Sequence, residues 1–599
     1  MTDLLEPAAT RTTTRDDLTP QEASRSSSVR GPINRSDGRV VIGRVGAPEQ
    51  QESTSGRFFF WIPPDALVEK TQLVACQSHI AGKDFTFYAL VEEVHRRSRK
   101  RSMGHEVDEA DNDLTFQPPF ESDGYTYAAA NILCTTPPVL IPPRERSDVL
   151  LADEADAKVA YGYDEMARPM AVGRLRNGAS GYAGLASIDL SYLLGENGGH
   201  LNLTGMSGVS TKSSFLTLMI ALLQHEARPR TGVPPLHIVP IILNVKGEDL
   251  MWIDQKNRDF KAGPPRNDKA EWDALGVAPA PFVNATFHAP MDPKSPGAPA
   301  IDGCNAKPYC WALTDILAEE LFPFLFSSDD KNSPMMMGLV YDIVAHLTKP
   351  DNKTLEDSVS AQTWDGLLSW LREQAGKAET DRDIKMHHPG TWRAVYRRLW
   401  ELLATGPGIF PRDAQHGNPL RVTCDKTSPP QVIDIHDLPM ALQRFVVAAI
   451  VRQVAAARTG RTAVRGLRYL LVLDELNRFA PRGSADAITQ LLEEVSTEMR
   501  SRGVILLGAQ QFASQVSLKV VESASIRVLG RCGPAELQDK VWQSWDKAAR
   551  VQASALGPDE KLVMQPSFRQ PMYVKVPYPA WAMKREDIAP VPLDQTPEV

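Results

Sequence analysis

Cysteine, long apolar runs and excess positive charge are all scarce in this 599-residue chain. Its six cysteines (Cys76, Cys134, Cys304, Cys310, Cys424 and Cys532) are scattered. The one close pair, in "CNAKPYC", has the wrong spacing for the usual zinc pairs. That pattern excludes a disulfide scaffold and points to reduced thiols in a cytoplasmic protein. The longest apolar stretches are broken by Arg, Asp or Pro, so no membrane span is expected. The opening "MTDLLEPAATRTTTRDD" lacks the basic-then-apolar pattern of a secretory signal. Lysine and arginine number 66 against 74 acidic residues, a net charge of −8, which excludes a wholesale nucleic-acid coat but not DNA within a local basic channel. There is no H-E-x-x-H, no G-x-S-x-G and no histidine–carboxylate cluster at metal-ligand spacing.

What is present changes character along the chain. Residues 1–37 are rich in Thr, Ser, Arg and Asp without apolar periodicity and read as a disordered tail. Residues 38–180 hold short β-branched or aromatic runs divided by Gly and Pro, among them "GRFFFWIPP", "YTYAAANILC" and "MAVGRLRNG". That spacing predicts a small all-β barrel or sandwich. Within it, "HRRSRKRSMGHEVDEADNDL" is basic and then acidic. It reads either as a solvated loop or as a phosphate-contacting one through Arg96, Arg97, Arg99, Lys100 and Arg101. From about Ser187 buried strands alternate with amphipathic helices. "PLHIVPIILNV", "QVIDIHDLP", "RYLLVLDELNRFAP" and "GVILLGAQQ" are the strands, and "ALQRFVVAAIVRQVAAART" is a helix with Leu442, Val446, Ala449, Ile450 and Val454 along one stripe. This predicts an α/β core with a mostly parallel sheet, split into 187–253 and 426–555 by a Pro/Gly-rich and helical insertion at 254–425, and followed by an extension at 556–599.

Ligands bind outside the carboxyl ends of such strands, so the strand ends carry the candidate chemistry. "HLNLTGMSGVSTKSSFLTLMIALL" reads as strand, glycine-containing loop and apolar helix. A phosphate loop needs small residues so that backbone N–H groups can turn towards oxygen. It needs a lysine for the outer phosphates and a hydroxyl for Mg²⁺. Gly205, Gly208, Lys212, Ser213 and Ser214 fit; Thr211 stands where the pattern asks for glycine, in a loop one residue longer than usual. A second strand ends in Asp474-Glu475, an acidic pair that is costly at the end of a buried strand without a partner or a task. A third ends in Gln510-Gln511, preceded by "EMRSRG" with Arg500 and Arg502. These arginines, with Arg527 and Arg531, read either as surface ion pairs or as groups that stabilise charge in phosphoryl transfer.

In their order and spacing, the pieces "GMSG", "NVKGEDL", "LLVLDELNRFAP", "MRSRGVILLGAQQFASQV" and "YVKVPYPAWA" resemble the HerA family of DNA translocases, in the HerA–FtsK branch of P-loop ATPases, over roughly residues 38–585. The resemblance implies a RecA-like ATPase core behind a HerA-type β-barrel, assembled as a hexameric ring. It implies ATP and Mg²⁺ as cofactors and double-stranded DNA as the moved substrate. A NurA-type nuclease or other effector is the implied partner, in DNA-end processing or anti-phage defence. Carried over residue by residue, Lys212 and Ser213 match the lysine and hydroxyl of the nucleotide loop. Asp474 matches the Mg²⁺-shell aspartate, Glu475 the catalytic glutamate, Gln510 the sensing glutamine and Arg500 an arginine acting near the γ-phosphate. The chain departs from the family at Thr211 and at Asn244, where an acidic residue is usual. These departures predict slow turnover or weak nucleotide binding. They leave open a nucleotide-binding ring scaffold that hydrolyses little.

Overall fold

The computed structural model describes residues 39–97, 107–108, 111–113, 115, 124–206, 212–232, 235–247, 249–326, 333–348, 363–459, 466–484 and 486–590. The tail expected at 1–37 lies outside them, as do Arg99, Lys100 and Arg101 of the basic run, and Gly208 and Thr211 of the loop.

Six antiparallel strands close into a barrel: β1 (Val41–Val45), β2 (Arg57–Ile62), β3 (Leu73–Ile80), β4 (Lys83–Arg97), β5 (Tyr125–Thr136) and β6 (Asp148–Leu151), in the order β1-β2-β5-β4-β3-β6. Alternation along β2 turns Phe58, Phe60 and Ile62 into a core shared with Phe87, Val74 and Val91, while Trp61 stays exposed. The barrel expected from the sequence is therefore present, but it closes at β6. "MAVGRLRNG", expected within it, forms β7 (Pro169–Asn177), which with β8 (Gly181–Asp189) joins a different sheet.

That sheet has twelve strands. Besides β7 and β8 it contains β9 (Leu201–Thr204), β10 (His237–Asn244), β13 (Thr286–Pro290), β14 (Ala306–Tyr309), β15 (Gln431–Asp434), β16 (Leu467–Leu473), β17 (Val504–Gln510), β18 (Ile526–Leu529), β19 (Glu560–Met564) and β20 (Met572–Lys575). A two-residue pair, β11 (Ala262–Gly263) with β12 (Arg266–Asn267), stands apart. The order is β14-β13-β15-β10-β16-β17-β9-β18-β19-β20-β7-β8. Pairing is parallel from β14 to β18 and antiparallel beyond. The near-continuous apolar runs fall in the parallel part: all seven residues of β17 are buried, and seven of the eight in β10. This is the α/β core expected from the sequence, with a barrel in front of it.

The Pro/Gly-rich stretch is not a bare connection, since β13 and β14 extend the parallel sheet. The helices Ser333–Leu347, Trp364–Gly376 and Pro389–Thr405 follow, and their buried Trp364 and Trp392 share one apolar cluster with Val239, Ile241 and Ile433 of the sheet. Beyond β20, the segment around Trp581 straps the core. The Ala580 and Met583 carbonyls accept from Asn257 and Leu250, and Trp581 Nε1 donates to Thr217 Oγ1 at 3.1 Å. Among the described residues one helix, Met440–Ala457, is long and apolar enough to cross a membrane, but ten of its eighteen side chains lie buried in the core.

Candidate nucleotide site

Strand order sets up the site. β17 lies between β9 and β16, and β10 flanks β16 on the far side, so the parallel strands β9, β17, β16 and β10 bring four carboxyl ends to one edge. At the first end the chain leaves β9 pinned between its neighbours. Gly205 N–H donates to the Gln510 carbonyl at 3.1 Å, and Met206 N–H to the Arg531 carbonyl at 2.8 Å. A Cβ on Gly205 would rest against the Gly530 backbone at 3.4 Å, so the loop start packs directly on the end of β18. Past the loop, Lys212 caps the helix Ser213–Glu226, whose first N–H groups have no acceptors within the helix and so can face an anion.

Two side chains from that helix start reach the acidic pair after β16. Lys212 is buried, with Nζ 3.1 Å from Glu475 Oε1 and 3.9 Å from Asp474 Oδ1. Ser213 Oγ donates to Asp474 Oδ2 at 3.1 Å. Asp474 Oδ1 accepts from the Glu475 N–H at 2.8 Å. Glu475 sits at φ 57°, ψ 50°, a left-handed conformation that a non-glycine residue adopts at a cost of about 1–3 kcal/mol and that collects at functional sites. Of the expected residues, Lys212, Ser213, Asp474 and Glu475 thus converge. Ser214 is buried beside them, and its carbonyl accepts from Thr217 Oγ1 at 3.0 Å.

Two expected residues go elsewhere. Gln510 is fully buried, and its amide donates to Thr204 Oγ1 at 2.6 Å and to Asn202 Oδ1 at 2.7 Å. The register explains this. Gly508 opposes Asn202 and Gln510 opposes Thr204, so Gln510 shares a face with Asn202 and Thr204 of β9. The next residue is freed by the strand end, and Gln511 Nε2 lies 3.4 Å from Glu475 Oε1. Gln511, not Gln510, therefore reaches the acidic pair. Arg500 is exposed on the turn Met499–Arg502 before β17, against Gly199 at the amino end of β9, so the length of the strand separates it from Lys212 of its own chain. Of the other arginines, Arg527 is committed to the Val541 carbonyl (2.8 Å) and the Trp542 ring. Arg531 is exposed beside the start of the loop.

Lys246 was not singled out from the sequence. It follows β10 by two residues, and its Nζ pairs with Glu475 Oε1 and lies 3.6 Å from Asp474 Oδ2. Asn244 sets the turn that carries it, donating to the Gly247 carbonyl (2.7 Å) and to Asp434 Oδ1 (2.9 Å). The available signal was positional, a charged residue just past a buried strand, as at Asp474. Burial would lower the Lys246 ammonium, but Asp474 and Glu475 outweigh it and hold its pKa above the usual lysine value. For the more enclosed Lys212 burial is the larger effect and its pKa falls, with Lys246 nearby adding to the fall. Burial would raise the Glu475 carboxyl, yet the two lysines hold it below the usual range.

The donor set can be tested against a metal. Ser213 Oγ and Asp474 offer a hydroxyl and a carboxylate, hard oxygens of the kind Mg²⁺ takes alongside water and phosphate. Among the described residues no group of three or more His, Cys, Asp or Glu could hold a metal ion.

No family model and no curated protein matches this chain. Among solved structures it is similar to VirB4 of Thermoanaerobacter pseudethanolicus at 13% identity, over 68% of this chain and 96% of that one, with a TM-score of 0.40. It is similar to the plasmid coupling protein TrwB in complex with ADPNP at 11% identity, over 65% and 88%, with a TM-score of 0.40. The genome packaging NTPase B204 of Sulfolobus turreted icosahedral virus 2 matches 25% of this chain and 68% of its own, at 16% identity and a TM-score of 0.20. At these values the likenesses carry no argument, and the chemistry is read from the geometry.

Proposed function

We propose that this chain is a P-loop ATPase that works as a ring and moves double-stranded DNA. One observation carries the ATPase part: the pair Lys212-Ser213 and the pair Asp474-Glu475, far apart in sequence, meet within 3.9 Å at the carboxyl edge of a parallel sheet. Bound Mg²⁺-ATP supplies the phosphoanhydride whose terminal phosphoryl group passes to water. The chain's residues divide the remaining work. Lys212 neutralises charge on the outer phosphates, and Ser213 and Asp474 provide the oxygens that hold the metal. Glu475 is the carboxylate that accepts a proton from water. Gln511 is the amide beside it. The DNA, the ring and a nuclease or effector partner rest on the sequence resemblance to HerA translocases.

A scaffold that binds nucleotide and hydrolyses little is the second reading. It is favoured by Thr211 in the loop and by a Glu475 carboxylate already engaged by two ammonium groups. Steady-state ATP hydrolysis with and without linear duplex DNA separates the two. A motor hydrolyses faster with DNA, and both Lys212→Ala and Glu475→Gln lower its rate on the order of 10²–10⁴-fold. Wild-type protein that binds ATP without turning it over, DNA present or not, leaves the scaffold.

A further inference from the structure

Two ammonium groups share a single carboxylate oxygen in this site. Lys212 Nζ and Lys246 Nζ both pair with Glu475 Oε1, and both also face Asp474, at 3.9 and 3.6 Å. A phosphate loop needs its lysine on the phosphate, so Lys212 has to leave Glu475 when nucleotide binds. Lys246 is better placed to follow than to stay behind. Its side chain is 31% exposed, against 3% for Lys212, and it stands on the turn past β10 rather than inside the helix cap. We infer that Lys246 is a second phosphate-binding cation, which Glu475 occupies until a nucleotide phosphate displaces the carboxylate from both lysines.

The inference rests on the nucleotide reading above and adds to it a residue and an order of events. Glu475 Oε1 is an anionic oxygen held between two ammonium groups, and a terminal phosphate oxygen carries the same charge and accepts the same bonds. Exchange of one for the other preserves the neutralisation of the lysines. It also frees Glu475 Oε1 from the two ammonium groups that occupy it, which leaves that oxygen open to a water. Asn244, the departure from the family pattern, has a task in this scheme. Its bonds to Gly247 and Asp434 hold the turn that aims Lys246.

The test is equilibrium binding of ATP, ADP and AMP to the full chain, read by a fluorescent nucleotide analogue and its competition. Lys246→Met is expected to weaken ATP binding about tenfold, the size of one charge-assisted contact. Its effect on AMP is expected to stay within twofold, because the outer phosphates are missing. Lys246→Arg keeps the charge and is expected to restore most of the loss. Glu475→Gln removes the competing anion and is expected to tighten ATP in the wild-type background but much less beside Lys246→Met. Unchanged ATP affinity in Lys246→Met, with melting temperature as the check on folding, overturns the inference. So does an equal loss for ATP and AMP. Lys212→Ala tells the two levels apart. If it too binds ATP like the wild type, the nucleotide reading of the site has failed; if it alone loses ATP, only the role of Lys246 has failed.

Discussion

At the scale of single residues, the amino end of β9 is held by a histidine that is kept neutral. His200 is buried, and its Nδ1 accepts the Leu506 N–H at 2.9 Å across to β17. Burial is the main cause that pushes its pKa from 6.5 down to about 4, and nearby Arg500 adds to it. The unfolded chain therefore takes up this proton first as pH falls. The stability it contributes is complete above about pH 6.5 and is lost progressively towards pH 4, up to about 3 kcal/mol. His200→Gln keeps an acceptor but cannot protonate. Its melting temperature is expected to fall less steeply than that of the wild type between pH 6.5 and 4.5, and parallel curves would remove His200 from the account. Legibility at this scale was uneven. Lys212, Ser213, Asp474 and Glu475 could be read because each sits in a pattern that needs its residue type. Gln510 and Gln511 could not be told apart, since a shift of one residue exchanges the faces of a strand and only the register with β9 decides between them. Lys246 lies within "NVKGEDL", but its contact with Glu475 depends on β10 lying beside β16, which the sequence does not state.

Among elements, the contact between β17 and the short helix Leu476–Phe479 governs the site most directly. Gly508 lies in β17, and a Cβ there would stand 2.3 Å from Leu476 Cδ1 and 3.0 Å from Cγ. Leu476 is fully buried and follows Glu475, so a push on its side chain bears on the acidic turn. Gly508→Ala is therefore expected to cost about 1–3 kcal/mol through overpacking. It should also lower ATP hydrolysis more than the stability loss explains, because Glu475 moves with its neighbour. Thermal melting beside steady-state turnover checks this, and a variant with wild-type melting and turnover would show that the helix shifts freely. The strands of this core were legible because they are buried on both faces and read as continuous apolar runs. The ends of the sheet were not. β7, β13, β14, β19 and β20 are short or half-polar and look like loop or barrel text until their partners are known.

For the whole molecule, the proposed ring and its proposed DNA substrate have to be reconciled with charge. Each chain carries −8, so duplex DNA would be repelled by the average surface and could be held only where basic side chains are gathered on one face. A closed ring does this by bringing the same face of every copy towards one axis, which turns one or two cations per chain into a basic channel. Arg500 is exposed and far from the Lys212 of its own chain, so in the proposed ring the nucleotide it would face is that of a neighbouring copy. Two results are expected together. With ATP and Mg²⁺, light scattering of the 66.0-kDa chain should show a particle of about 400 kDa, the mass of six copies. DNA affinity should fall on the order of 10³-fold between 50 and 200 mM salt, as for about six neutralised phosphates, while hydrolysis without DNA changes little. A particle that stays at the mass of one chain, with hydrolysis indifferent to DNA, would reject the ring and the motor together. A ring that forms and ignores DNA would keep the assembly and leave its energy for holding a partner.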